Sequence, residues 1–217
     1  MPENTSVAAT IRGEKTRKAI LKHALKLFSS KGYKATTVRD IAAAVGIKQG
    51  ALYNHFKNKE AILAALIEEL TSSAVVHLFD EYDPQTPLKN PKALLMGIAT
   101  KFKLLSFDAQ NEALFKLLMQ ELFKNAHIRE IYNEHFYQQN VKKLSAIFFN
   151  MMQQEQIKSS DPLLLAHEFF SPLFFYQMQV SLLKADKKST TSVVTLFEKH
   201  VDAFWECVKI ERNDTLF

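Results

Sequence analysis

The chain has little of what staples or breaks a small fold. One cysteine, Cys207, occurs among 217 residues, so no intrachain disulfide can form, and no Cys/His cluster at zinc spacing accompanies it. Five glycines and six prolines supply too little turn chemistry for many short strands. No apolar run reaches the ~20 residues that a membrane-spanning helix requires. The first residues are polar and include Glu3, without the basic start and apolar block of a secretion signal. Internal repeats and low-complexity stretches are missing too. Together these absences predict a soluble protein of a reducing compartment with no membrane partner.

What is present is ordinary in amount and uneven in placement. Hydrophobic residues make up 47% and charged residues 24%, a globular composition that excludes a disordered or fibrous chain. The net charge of +5 hides an asymmetry. Residues 1–60 hold twelve Lys and Arg against four acids, hence +8, which leaves −3 for the rest. A basic front on an apolar body predicts a polyanionic partner for the front. Alternating patterns are scarce, whereas apolar residues recur at spacings of three and four, the period of a buried helix face. The expected fold is all-α, with an N-terminal three-helix domain over 1–59 and a larger helical body over 60–217.

Three helices are expected in the front. The first runs from about Glu14 to Lys31, with Ile20, Leu21, Ala24, Leu25, Leu27 and Phe28 inward and Gly32 as a left-handed cap. Thr37, with Asp40 three residues on, forms an acidic capping box for the second. Gly46 ends that helix, and a third spans roughly Lys48 to His55, anchored by Leu52 and Phe56. Ala42, Ala43 and Ala44 are expected where two helices cross closely. Helix, glycine turn, helix makes a helix-turn-helix, whose second member lies in the major groove of DNA. Its outward residues would be Lys48, Gln49, Gly50, Ala51 and Asn54. Gln and Asn can pair with adenine, and Lys can donate to guanine. A plain αα-corner with a solvated face is the alternative that periodicity leaves open.

Two stretches carry a resemblance. Residues Leu27-Phe28-Ser29-Ser30-Lys31-Gly32-Tyr33-Lys34-Ala35-Thr36-Thr37-Val38-Arg39-Asp40-Ile41-Ala42 and Gly46-Ile47-Lys48-Gln49-Gly50-Ala51-Leu52-Tyr53-Asn54-His55-Phe56-Lys57-Asn58-Lys59-Glu60 resemble the tetracycline-repressor (TetR) family of bacterial transcription regulators. The resemblance covers about a fifth of the chain. It implies phosphate contacts from Thr37, Tyr53, His55 and Lys59, the last aided by free amides at a helix N-terminus. Base reading would fall to Lys48, Gln49, Gly50 and Asn54. Ala51 departs from the Ser or Thr often found there, and Asn54 replaces a common aromatic, so reader and phosphate ligand both stay open for it.

The body is expected to hold helices near 58–79, 91–106, 110–125, 128–156, 162–184 and 190–211, with Pro172 kinking the fifth of these. The resemblance implies that the last two pair with their copies in a twofold bundle. Leu165, Phe169, Leu173, Tyr176, Phe197, Phe204 and Trp205 are the expected homodimer contacts. Thirteen of 17 phenylalanines lie between Phe102 and Phe204. Phe102, Met119, Phe123, Phe148, Phe170 and Phe174 are the expected lining of an apolar effector cavity, unless they are simply core. His127, Glu130, Glu134 and His135 do not converge as metal ligands, and no nucleophile–base arrangement suggests an enzyme. No cofactor is expected. The expectation is therefore a ligand-responsive homodimeric repressor, bacterial and nucleoid-associated, on a pseudo-palindromic operator. Its rivals are an effector-independent DNA-binding protein and a hydrophobic-metabolite binding protein.

Overall fold

The computed structural model describes residues 3–71 and 88–211. Among these residues the structure is helical, with one isolated antiparallel bridge between Ile157 and Lys209. No described helix is long and apolar enough to cross a membrane. Packing divides the chain into two units that do not follow its order. The first joins residues 1–71 to 109–132, and the second joins 72–108 to 133–217.

The first unit contains α1 (Glu3–Lys31), α2 (Val38–Val45), α3 (Gln49–Tyr53), α4 (Lys59–Thr71), α6 (Ala109–Glu121) and α7 (Ala126–Ile131). Helix α1 begins at Glu3, well before the expected start near Glu14. Its early segment holds no proline, and Gly13 alone weakens a helix by only about 1 kcal/mol. One core runs through the unit, with Ile20, Ala24 and Phe28 of α1, Ile41 of α2, Leu52 of α3, and Ile62 and Leu66 of α4. Leu114, Leu117 and Leu118 of α6 and Ile128 of α7 complete it. Packing thus draws α4, α6 and α7 in with the three N-terminal helices, whereas the sequence pattern placed them in the larger body. Only Ala42 of the three alanines is buried; Ala43 and Ala44 face solvent. The expected continuation of α4 to Phe79, and residues 80–87 after it, lie outside the described residues.

The second unit contains α5 (Pro91–Leu105), α8 (Gln139–Gln153), α9 (Pro162–Ala185), α10 (Thr191–Val194) and α11 (Leu196–Val208). Asn90 and Asp161 cap α5 and α9, each with a proline in the first turn, near the helix starts expected at 91 and 162. The single helix expected over 128–156 is instead α7, a π-helical segment over Tyr132–Gln138, and α8. Helix α9 packs on α8, and α11 packs on α5 and α9. Pro172 sits inside an α9 that remains continuous. Lys103 pairs with Glu198, and Lys92 with Asp202 at 2.8 Å, joining α5 to α11. The helices α8 and α9 end on left-handed residues that are not glycine, Glu155 (φ 52°) and Lys187 (φ 56°).

Candidate nucleic-acid interface

The turn that presents α3 is assembled from short-range polar chemistry. Thr37 and Asp40 close a full capping box. The Thr37 amide and hydroxyl both donate to Asp40 Oδ2, at 2.9 and 2.7 Å, and the Asp40 amide donates to Thr37 Oγ1 at 3.1 Å. Those bonds, the backbone one foremost, hold the Asp40 carboxyl below the usual carboxylate range. Six residues after Asp40, Gly46 takes φ 79°, and the Ile47 amide donates to the Ala42 carbonyl at 3.0 Å. A left-handed residue here costs glycine nothing and other residues about 1–2 kcal/mol.

Past that turn, Lys48 flanks α3 in extended conformation and donates no side-chain cap. Leu52 and Phe56 are buried and fix the short helix to the core, while the Arg17 guanidinium lies 4.7 Å over the Phe56 ring. Lys48, Gln49, Gly50 and Asn54 are all exposed, and Ala51 is half-buried. The structure therefore brings the four expected base-reading residues together on one exposed helical segment. An ideal Cβ at Gly50 would meet nothing within 4 Å, and its backbone is ordinary helix. Nothing within the protein requires a glycine there.

The expected phosphate ligands fare unequally. Tyr53 is 46% exposed, with its hydroxyl accepting from Gln49 Nε2 at 3.3 Å. His55 is half-buried. Thr37 is exposed, yet both its donors are engaged by Asp40. Lys59 turns inward: its ammonium donates to the Tyr33 carbonyl at 2.8 Å and the Thr36 carbonyl at 2.9 Å, and lies 4.3 Å from the centre of the Tyr33 ring. The open donors at this end of α4 are backbone amides beside Asn58, whose Oδ1 accepts from the Ala61 amide at 2.8 Å. Lys34, Arg39 and Lys57 are exposed cations on the same stretch that motif reasoning passed over; their signal was the charge excess itself.

The other expected site residues are placed as follows. Leu165, Phe169, Leu173, Phe197 and Phe204 are buried within the chain's own core. Tyr176 and Trp205 are half-buried. What α9 exposes at helical spacing is Leu164, Glu168, Ser171, Phe175 and Leu182, with Leu163 beside Leu164. Phe123 is 86% exposed in the turn after α6 and lines no interior. Met119 is half-buried against the first unit's core. Phe102, Phe148 and Phe170 belong to the second unit and are buried, and Phe174 there is half-buried. Phe102 meets Phe170 edge-on at 5.3 Å, and Phe148 meets Phe204 at 5.5 Å, so these rings occupy one another's space. His127 lies 3.8 Å from Glu130 in an exposed pair.

Comparison with known proteins gives the same picture. Residues 20–66 match the family model for bacterial regulatory proteins of the tetR family. The HTH-type transcriptional repressor KstR2 of Mycolicibacterium smegmatis is 41% identical over 101 residues, 44% of this chain and 45% of that one. The chain thus spans less than half the length of that curated relative. Among solved structures, a SmeT–triclosan complex covers 94% of this chain and 95% of its own, with a TM-score of 0.72 and 19% identity. FadR of Bacillus subtilis in complex with stearoyl-CoA covers 86% and 96%, with a TM-score of 0.67 and 22% identity. At these identities the structural likeness is one of fold. Residues 20–66 are thus a helix-turn-helix segment of the tetR family of bacterial regulatory proteins, and the likeness over the rest of the chain is one of fold.

Proposed function

We propose that this protein is a homodimeric, ligand-responsive transcriptional repressor that reads a pseudo-palindromic operator in the bacterial cytoplasm. The observation that carries the reading is the exposed set Gln49 and Gly50 on α3 with Lys48 and Asn54 at its two ends, held by the Gly46 turn and the buried Leu52 and Phe56. Lys48, Gln49 and Asn54 supply the donors and acceptors that base edges require, and Gly50 lets the backbone approach. Phosphates would be held by Tyr53, His55, the Thr37 end of α2 and the amides opening α4, with Thr37's hydroxyl available only on leaving Asp40.

For the dimer, the exposed Leu164, Phe175 and Leu182 of α9, with Glu168 and Ser171 between them, would carry the contact. Exposed leucine and phenylalanine at helical spacing gain from cover, and twofold pairing would set two readers roughly 34–36 Å apart, one DNA turn. An effector, small and largely apolar, would bind in the aromatic second unit. The SmeT complex with triclosan and the FadR complex with stearoyl-CoA, an apolar chain on a charged carrier, support a ligand with a large apolar part. Its coupling to the operator would be about 1–3 kcal/mol, and operator DNA would weaken effector binding by the same factor.

The test is selection of bound duplexes from random-sequence DNA, followed by sequencing. The expected result is a motif of two related half-sites one helical turn apart. Enrichment of no motif by the folded dimer would sink the proposal. With four or five phosphates neutralised per subunit, the log–log salt slope should be roughly −7 to −9.

A further inference from the structure

Helix α6 packs on α1 and α4 within the first unit, and the seam between the three is not filled. Two clefts of about 300 Å³ each lie along it, at the lower end of the range for sites that hold small molecules. Both are lined by Lys22 and Leu25 of α1 and Gln110 of α6, so together they form one furrow beside α1 from Lys18 to Ser29. That stretch is about 16 Å of helix. The floor is apolar, made by Leu21, Leu25 and Leu66, each at most 5% exposed.

The two ends of the furrow differ in charge. At the Lys18 end, α4 contributes Leu66 and the half-buried Glu69. Burial raises the Glu69 carboxyl above its ordinary range, and the charges of Arg17 and Lys18 pull it back. The cations there already answer to an acid of the chain. At the Ser29 end no acid lines the cleft. Lys22 and Lys26 stand there one turn apart on the same face of α1, both exposed. Among the described residues neither ammonium has an ion pair or a hydrogen bond. Like charges at this spacing on a helix repel each other, and an anion between them would relieve the repulsion. The exposed amide of Gln110 adds a neutral donor to the same end.

We propose that this furrow is a second binding site, which takes a small amphiphilic carboxylate. The head sits among Lys22, Lys26 and Gln110, and the aliphatic chain lies on Leu25 and Leu21 toward Leu66. An anion without a chain would leave the leucine floor bare, and a neutral chain would leave the two lysines unrelieved. The site belongs to the first unit, whereas the effector of the proposed function would bind in the second, and it stands whether or not the chain reads DNA.

The experiment titrates octanoate into the full chain while the leucine and alanine methyl resonances are followed by NMR. Two controls divide the ligand: 1-octanol has the chain without the charge, and acetate has the charge without the chain. Octanoate should give saturable shifts at Leu21, Leu25 and Ala113, with either control bound at least about tenfold more weakly. Lys22→Met combined with Lys26→Met keeps the apolar stems and should weaken octanoate about tenfold, leaving 1-octanol unchanged. Ala113→Leu narrows the furrow without touching a charge. It should also weaken octanoate about tenfold, and it carries the test should the double lysine variant not fold. Octanoate shifts confined to methyls of the second unit, or none that saturate, overturn the proposal. Acetate bound as well as octanoate reduces the lysines to a solvated face, and 1-octanol bound as well reduces the furrow to an apolar crevice; either result overturns it too.

Discussion

The helix-turn-helix and the second unit use side chains over different distances. In the first, Thr37 bonds to Asp40, Gly46 closes on Ala42 and Ala43, and Asn58 caps Ala61, all within four residues of chain. In the second, Phe148 meets Phe169 and Phe204, and His200 bonds to the Phe169 carbonyl, across tens of residues. Local chemistry restricts which residue types can serve, because a cap needs an acceptor and a left-handed turn favours glycine. Remote packing restricts only size and apolarity, so many residues could fill each place. A reader is therefore specified residue by residue, and a core only in bulk.

The sharpest way to break this contrast is Phe148→Ala. The ring is fully buried among aromatic neighbours, and its loss should lower stability by about 3–5 kcal/mol in denaturant titrations. A loss well under that range would mean that the ring borders empty space, as a ligand cavity would require. Phe175→Glu tests the opposite face of the same unit. Phe175 is 51% exposed on α9, so the chain should fold normally while dimer affinity, followed by sedimentation, falls by ~2 kcal/mol or more. A dimer indifferent to Phe175→Glu would remove the α9 stripe from the interface.

Two glycines then sharpen the comparison within the reader. Gly46→Ala forces a Cβ into φ 79° and should destabilise by about 1 kcal/mol. Gly50→Ala meets no atom and no unusual backbone, so it should hold or raise the melting temperature, by up to about 1 kcal/mol of stability. The same variant should nonetheless lose operator affinity. Equal behaviour of the two glycines in thermal unfolding would contradict the distinction.

The smallest effect expected is one of pH. Partial burial, offset by the bond to the Phe169 carbonyl, lowers the His200 pKa below its ordinary value. The unfolded chain then binds the proton more readily than the folded one. Stability contributed by neutral His200 is present above pH ~6.5 and drains away as the pH falls toward the lowered folded value. His200→Phe should flatten this part of a pH–stability profile measured by chemical unfolding; an unaltered profile would remove His200 from it.

These differences explain what was legible. The capping box, Gly46, the Leu52 and Phe56 anchors and the proline-marked starts of α5 and α9 each follow from a rule spanning a few residues. The buried side of α9 did not, because apolar residues surround that helix and periodicity has nothing to phase against. Leu165, Phe169 and Leu173 are in consequence core, and Leu164, Phe175 and Leu182 are surface. Phe123 misled because an aromatic in a turn carries no sign of which way it faces. The motif placed Lys59 in a contact; its partners within the chain, two carbonyls over twenty residues away, leave no trace in a local pattern. The early start of α1 has a different cause: polar composition was read as an end, although nothing in it breaks a helix.

The core shared by α1, α4, α6 and α7 also bears on how the chain comes into being. Domains near an N-terminus commonly fold first, as synthesis proceeds. Here the cover over Ile62 and Leu66 includes Leu114, Leu117, Leu118 and Ile128. A ribosome that has delivered every residue of the helix-turn-helix still holds only part of that core. More than half of the chain must be translated before the helix-turn-helix can close over its own interior, so Ile62 and Leu66 stay uncovered during synthesis for longer than the short N-terminal segment would suggest.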